Sequence, residues 1–482
     1  MQEKAPAHIT TGKVNAFLTT EEFRTVALLQ RIQIKFATLE EIEKDRFANT
    51  LTELETFPGM HGLNMPKLRA NLDIPATEKH VEEKRKDVDN VPNILEVTVE
   101  VDQSSSTRSR RPTTVSASAA QDYDEGHLIY QVGNLLHNRY KIMAELGEGY
   151  YGKVFMCNDL HKGTILAIKI IKNIKNENEK YQQDMAMREI KVLSKLANYH
   201  PKAKNMFVQM YDWFDYHGHK CIVFELLGKS VWRFLKDNNY SAYPIEHVRQ
   251  IAYELCLSVS YLHANRLTHN DLKLENILFH DTEYYMDYLT QEDRDKGKKV
   301  MILKNPEIRL IDFGHTTFDH VQPSINLRQD MAPEVIMELG FGQPSDVWSV
   351  GCIIFEMAMG FKMFNTPSRH EHLAMMERIL GQIPSKMAEK SKLKYFSKRK
   401  LRWDEDSSIG RQVRSKVKPL LSYISMEKRG NKDWEELFLM ISQMLRYEPR
   451  KRSTLAECLE HPFLKKFKLR GPSRFTSSYI SR

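Results

Sequence analysis

The chain has 482 residues, 41% of them hydrophobic and 28% charged, which is enough for roughly two to three domain-sized units with a full hydrophobic core. Its 71 lysines and arginines exceed its 63 carboxylates only mildly, and this bias is not a nucleic-acid-binding signature. No window approaches about 18 uninterrupted apolar residues, and the N-terminus lacks a signal-peptide layout, so we expect neither membrane spanning nor secretion. The five cysteines are scattered without metal-ligand spacing and are predicted to be reduced core thiols of a cytosolic or nuclear protein.

Residues 1–94 form an N-terminal extension with two predicted helices. Thr19 and Thr38 each precede a glutamate by three residues, an arrangement that satisfies the free amides of a helix start. An apolar face follows each start, formed by Phe23, Val26, Leu29 and Ile32 in the first helix and by Phe47, Leu51 and Leu54 in the second. We interpret these faces as packing surfaces, toward each other or toward the rest of the chain, in preference to a dedicated partner site.

Residues 95–125 are predicted to be a disordered linker. The run SSSTRSRRPTTVSASAA within them has too little apolar surface to offset the entropy lost on ordering. Its three arginines are interpreted as a solvated charge cluster, with a weak nuclear-import or phosphoregulatory patch as the alternative.

From Tyr140 onward the pattern changes to short strand-like runs, and after Ser230 to longer helical patterns. This order predicts an α+β domain over residues 140–466, with a small β-rich lobe, a large helical lobe and a C-terminal tail over 467–482. The cleft between two such lobes is a favoured place for a nucleotide.

A glycine-rich turn is predicted between the first two strands of this domain, in the run LGEGYYGKVF. Gly147, Gly149 and Gly152 permit a tight turn whose backbone amides can approach phosphate oxygens, and Val154 offers an apolar surface for a purine. Taken alone, the pattern indicates no more than a hairpin that contains glycines.

A lysine inside an apolar strand adds a second feature. Lys169 follows Ala167 and Ile168, and a buried ammonium needs a carboxylate or a phosphate as its partner. Glu189, on the next predicted helix, is the expected carboxylate, and it would hold Lys169 against the nucleotide phosphates.

The segment LTHNDLKLENILF is the most informative part of the sequence. Asp271 can orient an attacking hydroxyl and accept its proton, Lys273 can neutralise a transferring phosphate, and Asn276 can ligate a metal. His269 is interpreted as a packed scaffold residue. Farther on, Asp312 ends an apolar strand in RLIDFG and supplies a second metal ligand.

Three further positions are predicted to be structural. Glu334 closes the triplet APE and is expected to pair with Arg452, and Asp346 is expected to anchor the catalytic loop from a buried helix.

Between the lobes, the backbone of Glu225 and Leu227 is predicted to bind adenine, with Phe224 behind the pocket.

The run EHLAMMER at 371–378 identifies a resemblance to the LAMMER, or Cdc2-like, dual-specificity protein kinases, which extends over residues 140–466. The resemblance implies the bilobal eukaryotic protein kinase fold, ATP and Mg²⁺ as cofactors, phosphorylation of Ser, Thr and sometimes Tyr, and Arg/Ser-rich splicing factors in the nucleus as substrates. We further expect a monomer that binds neither nucleic acid directly nor membranes, located in the nucleus, with the cytoplasm as a second location. The residues expected to act in catalysis are Asp271, Lys273, Lys169 and Glu189. Those expected to contact ATP are Leu146, Gly147, Gly149, Gly152, Val154, Ala167, Lys169, Glu225, Leu227 and Asn276, and those expected to hold Mg²⁺ are Asn276 and Asp312.

The chain departs from this family at several positions near the acceptor groove. Leu327 stands where relatives have a threonine that braces the catalytic residues, Arg233 stands where many have an acidic residue, and Asn270 replaces the arginine before the catalytic aspartate. Two hypotheses follow, an active serine/threonine kinase and an ATP-binding pseudokinase scaffold with an altered activation segment. We favour the first, because every residue that handles phosphate, metal or proton is present.

Overall fold

A computed structural model describes residues 126–149, 151–173, 177–199, 205–318 and 331–470. The helices and the linker predicted in the N-terminal extension lie outside these residues, as does Leu327. Among the described residues, no helix combines the length and the apolar composition needed to cross a membrane.

The small lobe is built on one antiparallel sheet of six strands, with the spatial order β1-β2-β3-β4-β6-β5. A single helix, α1 (Glu177–Tyr199), lies between β4 and β5 in the chain. The strands are β1 (Leu135–Leu136), β2 (Tyr140–Gly149), β3 (Gly152–Asp159), β4 (Thr164–Ile171), β5 (Met210–Tyr216) and β6 (His219–Glu225).

The two faces of this sheet pack against different hydrophobic cores, because successive side chains of a strand point to opposite faces. Ile168 and Ile170 of β4 join Phe155 in a core that belongs to the small lobe. Ala167 faces the other way and packs with the core that continues into the large lobe, with Val154 packed against the same core. The face that carries Ala167 and Lys169 is therefore turned toward the cleft between the lobes.

The large lobe is mainly helical, with four short antiparallel strand pairs, β7–β12, β8–β11, β9–β10 and β13–β14. Its strands are β7 (Leu267–Thr268), β8 (Ile277–Phe279), β9 (Tyr284–Asp287), β10 (Val300–Leu303), β11 (Ile308–Leu310), β12 (Thr317–Phe318), β13 (Phe396–Ser397) and β14 (Lys400–Leu401). Its helices are α2 (Val231–Asp237), α3 (Ile245–Ala264), α4 (Gln291–Asp295), α5 (Pro333–Ile336), α6 (Gln343–Met359), α7 (Arg369–Leu380), α8 (Ser385–Lys390), α9 (Ser408–Lys416), α10 (Lys432–Met444), α11 (Leu455–Leu459) and α12 (Pro462–Arg470).

Helix α6 forms the centre of this lobe and packs against α3 and α10. It is apolar on nearly all sides, as expected of a helix surrounded by protein, and Trp348 within it is fully buried. All five cysteines are buried and free, which confirms the prediction of reduced core thiols. The α+β, bilobal architecture is confirmed.

Candidate active site

The glycine-rich turn joins β2 to β3, which pair from Tyr140 with Asp159 to Gly149 with Gly152. At Gly152 a β-carbon would lie 2.1 Å from the carbonyl oxygen of Ile170 on β4, so only glycine fits there. At Gly147 a β-carbon would meet open space. The turn is thus packed closely on its sheet at one end and leaves its backbone open to a ligand at the other.

Three charged residues from distant parts of the chain meet under this turn. The ammonium of Lys169 on β4 lies 2.8 Å from a carboxylate oxygen of Glu189 on α1 and 3.2 Å from one of Asp312. Both the lysine and Glu189 are largely buried, with side chains 17% and 3% exposed. The sequence predicted the first pair, and the structure adds Asp312 as a second partner of the same ammonium.

The charge balance of this group follows from its burial. Burial opposes the charge on Lys169, but the carboxylates of Asp312 and Glu189 outweigh it and raise the pKa of the lysine. Burial would raise the pKa of Asp312, yet the neighbouring Lys169 ammonium outweighs that effect and lowers it to about 2. Lys169 and Asp312 are therefore both ionised at neutral pH.

The loop between β7 and β8 brings together the three polar residues predicted to act on the acceptor. A carboxylate oxygen of Asp271 accepts hydrogen bonds from Lys273 at 3.0 Å and from the side-chain amide of Asn276 at 2.7 Å. The same amide donates to the carbonyl oxygen of Asp271 at 2.9 Å. Because the nitrogen of Asn276 is engaged in this way, its side-chain oxygen is the atom suited to a cation.

Asp346 on α6 fixes this loop from below. Its carboxylate accepts hydrogen bonds from the backbone amides of His269 at 2.8 Å and Asn270 at 3.0 Å, and it lies 3.0 Å from the ring nitrogen of His263. His269 is fully buried and its ring packs against Phe313. The anchoring role of Asp346 and the scaffold role of His269 were both predicted.

Two residues of the site have a left-handed backbone that side chains other than glycine rarely adopt. The φ of Asn270 is 64° and that of Asp312 is 65°. Asn and Asp tolerate this region best, and such strained positions are concentrated at functional sites.

The connection between the lobes begins at Glu225, the last residue of β6, and continues through Leu227. The backbone amide of Glu225 donates to the carbonyl oxygen of Gln209, and its carboxylate accepts from the amide of Gln209 at 2.9 Å. Phe224 is buried behind this point. The structure thus places the predicted adenine-binding segment at the edge of the cleft, with a fixed strand end.

Asn270 also joins the catalytic loop to the segment after Asp312. Its side-chain nitrogen donates to the carbonyl oxygen of His315 at 3.0 Å and to the hydroxyl of Thr317 at 2.9 Å. Thr317 in turn pairs with Thr268 across β12 and β7. Neutral hydrogen bonds therefore hold the start of the activation segment.

The far end of the same segment is held by a buried ion pair. The guanidinium of Arg452 donates to both carboxylate oxygens of Glu334, at 2.8 and 2.9 Å, which is the predicted pairing. The guanidinium also lies over the ring of Trp348.

One contact across the cleft was not predicted. The hydroxyl of Tyr151, in the glycine-rich turn, lies 3.0 Å from a ring nitrogen of His315. The two residues are 164 positions apart, so no local pattern relates them. The only hint in the sequence is position: Tyr151 lies within the glycine-rich run LGEGYYGKVF, and His315 directly follows the run RLIDFG.

Arg233 has a carboxylate partner that was not predicted. Its Nε donates to Asp237 at 2.8 Å, and Lys229 holds the other carboxylate oxygen of Asp237 at 2.7 Å. Asp237 lies four residues on in α2, so its pair with Arg233 is a local helical one, and its single carboxylate is shared between Arg233 and Lys229. That Arg233 lies by the acceptor groove stays a prediction.

The chain is similar to known protein kinases in both sequence and structure. The protein kinase domain family matches residues 140–464. The dual specificity protein kinase CLK2 of Homo sapiens is 50% identical over 366 residues, which cover 75% of this chain and 71% of CLK2. The serine/threonine-protein kinase Doa of Drosophila melanogaster is 52% identical over 351 residues, 71% of this chain and 41% of Doa. A crystal structure of a kinase domain is 34% identical, with a TM-score of 0.62, and covers 70% of this chain and 99% of that one.

The family match covers most of the chain, and the similar proteins share about half of its residues over the same region. The matched residues include the lysine, carboxylate and amide groups of the cleft described above. The chain therefore belongs to the protein kinases, and within them to the LAMMER, or Cdc2-like, family.

Proposed function

We propose that this protein transfers the terminal phosphate of ATP to serine and threonine hydroxyls of proteins, and to some tyrosines. The observation that carries the proposal is the meeting of Lys169 with Glu189 and Asp312, at 2.8 and 3.2 Å. Three segments up to 143 residues apart converge on one ammonium in the cleft. A buried lysine held by two carboxylates is suited to bind phosphate on one side while a carboxylate binds a cation on the other.

The residues of the loop have distinct parts in this transfer. Asp271 orients the acceptor hydroxyl and takes its proton, and Asn276 and Lys273 hold its carboxylate in place. Lys273 also balances negative charge on the acceptor side. Lys169, kept charged and positioned by Glu189, stabilises the phosphate on the donor side.

The residues present fit Mg²⁺ and ATP. Asn276 and Asp312 offer the oxygen ligands that Mg²⁺ prefers, and Mg²⁺ commonly takes only one or two protein ligands when nucleotide phosphates supply others. When bound, the nucleotide and its cation supply the phosphoryl group and neutralise its charge. The glycine-rich turn would cover the phosphates, and the Glu225–Leu227 connection would hold the base.

The proposal is tested by measuring incorporation of labelled phosphate into a basic acceptor peptide in the presence of Mg²⁺. Lys169→Met and Asp312→Asn should each abolish transfer while the protein stays folded, because charge placement carries most of this catalysis. Lys220→Met is the matched control, since Lys220 also pairs with a carboxylate, Asp215 at 2.8 Å, and neither residue has a part in the proposed transfer. Full activity in both cleft variants would show that the site is assigned wrongly.

The alternative function, a nucleotide-binding scaffold, gives a different result in the same assay. The wild type would then gain thermal stability from ATP and Mg²⁺ but transfer no phosphate. Thermal shift and transfer measured on one preparation separate the two.

For substrates and location we propose Arg/Ser-rich proteins, splicing factors among them, in the nucleus. The support is membership of the LAMMER family and the arginines Arg108, Arg110 and Arg111, which suit nuclear import. A fluorescent fusion with these three arginines changed to glutamine should move toward the cytoplasm. A kinetic comparison of an Arg/Ser repeat peptide with a peptide that has acidic flanks tests the substrate class.

A further inference from the structure

We propose that a lysine-rich surface of the large lobe, formed by residues 386–402, binds protein segments that already carry several phosphoserines. This surface, called here the lysine surface, comprises the exposed part of α8, the β13–β14 hairpin and the residues that join them. The proposal rests on the kinase function proposed above, because it assigns the chemistry of a partner to the substrate side of the same lobe.

This surface carries a dense positive charge. Residues 386–402 contain eight lysines and arginines and one glutamate, a net charge of +7. The six lysines are all exposed. Lys386 and Lys390 lie on α8, and the other four lie on or beside the hairpin, at positions 392, 394, 398 and 400. The single glutamate, Glu389, is engaged by Arg399 at 3.0 Å. The positive charge of the lysines is therefore not offset from within the segment.

The hairpin carries its charge at a conformational cost. Ser397 pairs with Lys400, so Lys398 and Arg399 form a two-residue turn. Their φ values are 49° and 65°, a left-handed backbone for which such turns normally use Asn and Gly. The backbone of Lys398 and Arg399 is therefore strained, and backbone strain of this kind is concentrated at functional sites.

The lysine surface is tied to the end of the activation segment. The hydroxyl of Ser391 donates to the carbonyl oxygen of Met337 at 3.1 Å, and Met337 directly follows α5, which contains Glu334 of the APE triplet. On the neighbouring residue, Glu338 binds Arg369 of α7 at 2.8 Å. A polyanion on the lysine surface would thus be anchored next to the part of the lobe that receives the protein acceptor.

The aromatic residues of this region favour a phosphorylated protein over single-stranded nucleic acid. Tyr395 stacks on His370 with ring centres 4.6 Å apart, and Trp403 meets the same histidine at 5.1 Å. Phe396 and Tyr395 are packed against the core of the lobe. Proteins that bind single strands present aromatic faces to the bases, whereas these rings are used within the protein. What remains exposed is a set of flexible ammonium groups, which suit separate phosphates.

The experiment measures binding of a labelled peptide with several phosphoserines by fluorescence anisotropy, using the full-length protein. The unphosphorylated peptide, its glutamate counterpart and a single-stranded RNA of similar length are measured in parallel. The test variant is K392Q/K394Q/K398Q/K400Q. The control variant is K296Q/K304Q/K451Q/K465Q, which removes the same number of exposed charges from lysines that each pair with a carboxylate elsewhere.

We expect the wild type to prefer the phosphopeptide, and the test variant to lose about tenfold in affinity, because each exposed cation contributes modestly. The control variant should stay within about twofold of the wild type. Equal loss in both variants, no preference for the phosphopeptide over its unphosphorylated form, or tighter binding of RNA that the test variant abolishes would each overturn the proposal. Phosphorylation of the unphosphorylated peptide should be equal in all three proteins, so failure of the kinase function would appear separately, as absence of this activity.

Discussion

The side-chain amide of Asn270 donates a hydrogen bond to the hydroxyl of Thr317 at 2.9 Å, and this bond links the catalytic loop to the start of the activation segment. Thr317 is 4% exposed, so its hydroxyl is enclosed and already used. Many kinases place an arginine before the catalytic aspartate, where it pairs with a phosphorylated activation segment. Asn270 has no charge to offer a phosphate and makes neutral bonds in its place.

Activity should therefore be independent of activation-segment phosphorylation. Phosphatase treatment is expected to leave kcat unchanged, while Asn270→Ala should lower it several-fold by releasing β12 from the loop. The measurement is kcat on one peptide before and after treatment, with mass spectrometry to verify removal of phosphate. Loss of activity that returns when Ser324 or Thr317 is rephosphorylated would contradict this account.

The buried pair of Arg452 and Glu334 should be important for stability. Arg452→Met leaves the Glu334 carboxylate buried without its partner, which typically costs about 3–5 kcal/mol. Arg369→Met is the control, because Arg369 pairs with the exposed Glu338 and such pairs contribute about 1 kcal/mol or less. Urea unfolding measures the loss in the free energy of unfolding for each variant. Equal losses would show that the buried pair contributes no more to stability than the exposed one.

Glu254 on α3 should make stability depend on pH. Burial raises the pKa of Glu254 to about 7, against the opposing hydrogen bonds from the amide of Ile308 and from Gln250. The pKa of Glu254 is higher in the folded state than its ordinary value of about 4.3. The protonated carboxyl therefore contributes its full stability to the fold below about pH 4.3, and this contribution is lost as the pH rises through about 7. Glu254→Gln mimics the protonated form.

The variant is therefore expected to gain stability over the wild type at about pH 8, by at most about 4 kcal/mol, and to lose this advantage near about pH 4.5. Denaturant midpoints at the two pH values measure the effect. Glu283→Gln, which removes a carboxylate from an exposed position, is the control for the loss of a charge. A pH-independent difference for Glu254→Gln would refute the linkage.

The contact of Tyr151 with His315 should help close the glycine-rich turn over ATP. Tyr151→Phe removes the hydroxyl and is expected to raise KM for ATP about two- to tenfold, the value of one ordinary hydrogen bond, with little change in kcat. His315→Ala should have a similar effect, and the double variant should be no worse than either single one. Additive effects would mean that the two residues act separately.

The sequence predicted which residues would meet in the cleft better than it predicted the contacts around them. Lys169, Asp271, Asn276 and Asp312 could be singled out because protein kinases carry those side chains in that order along the chain. The pairing of Arg233 with Asp237 was missed, although its four-residue spacing on a helix was visible. Contacts such as Tyr151 with His315 depend on how the two lobes meet, and no periodicity in the sequence encodes that distance. The charge of residues 386–402 can be counted in the sequence, but its position beside α5 cannot.

The central claim, that the cleft transfers phosphate with Asp271 as the residue that handles the acceptor hydroxyl, is tested most directly by single-turnover transfer in Asp271→Asn. Asparagine keeps the shape of the side chain but cannot take up the proton. We predict that the variant binds ATP with wild-type affinity and transfers phosphate about 10²- to 10⁴-fold more slowly, the usual contribution of a positioned base. A transfer rate equal to that of the wild type would contradict the assignment of Asp271 and the mechanism built on it.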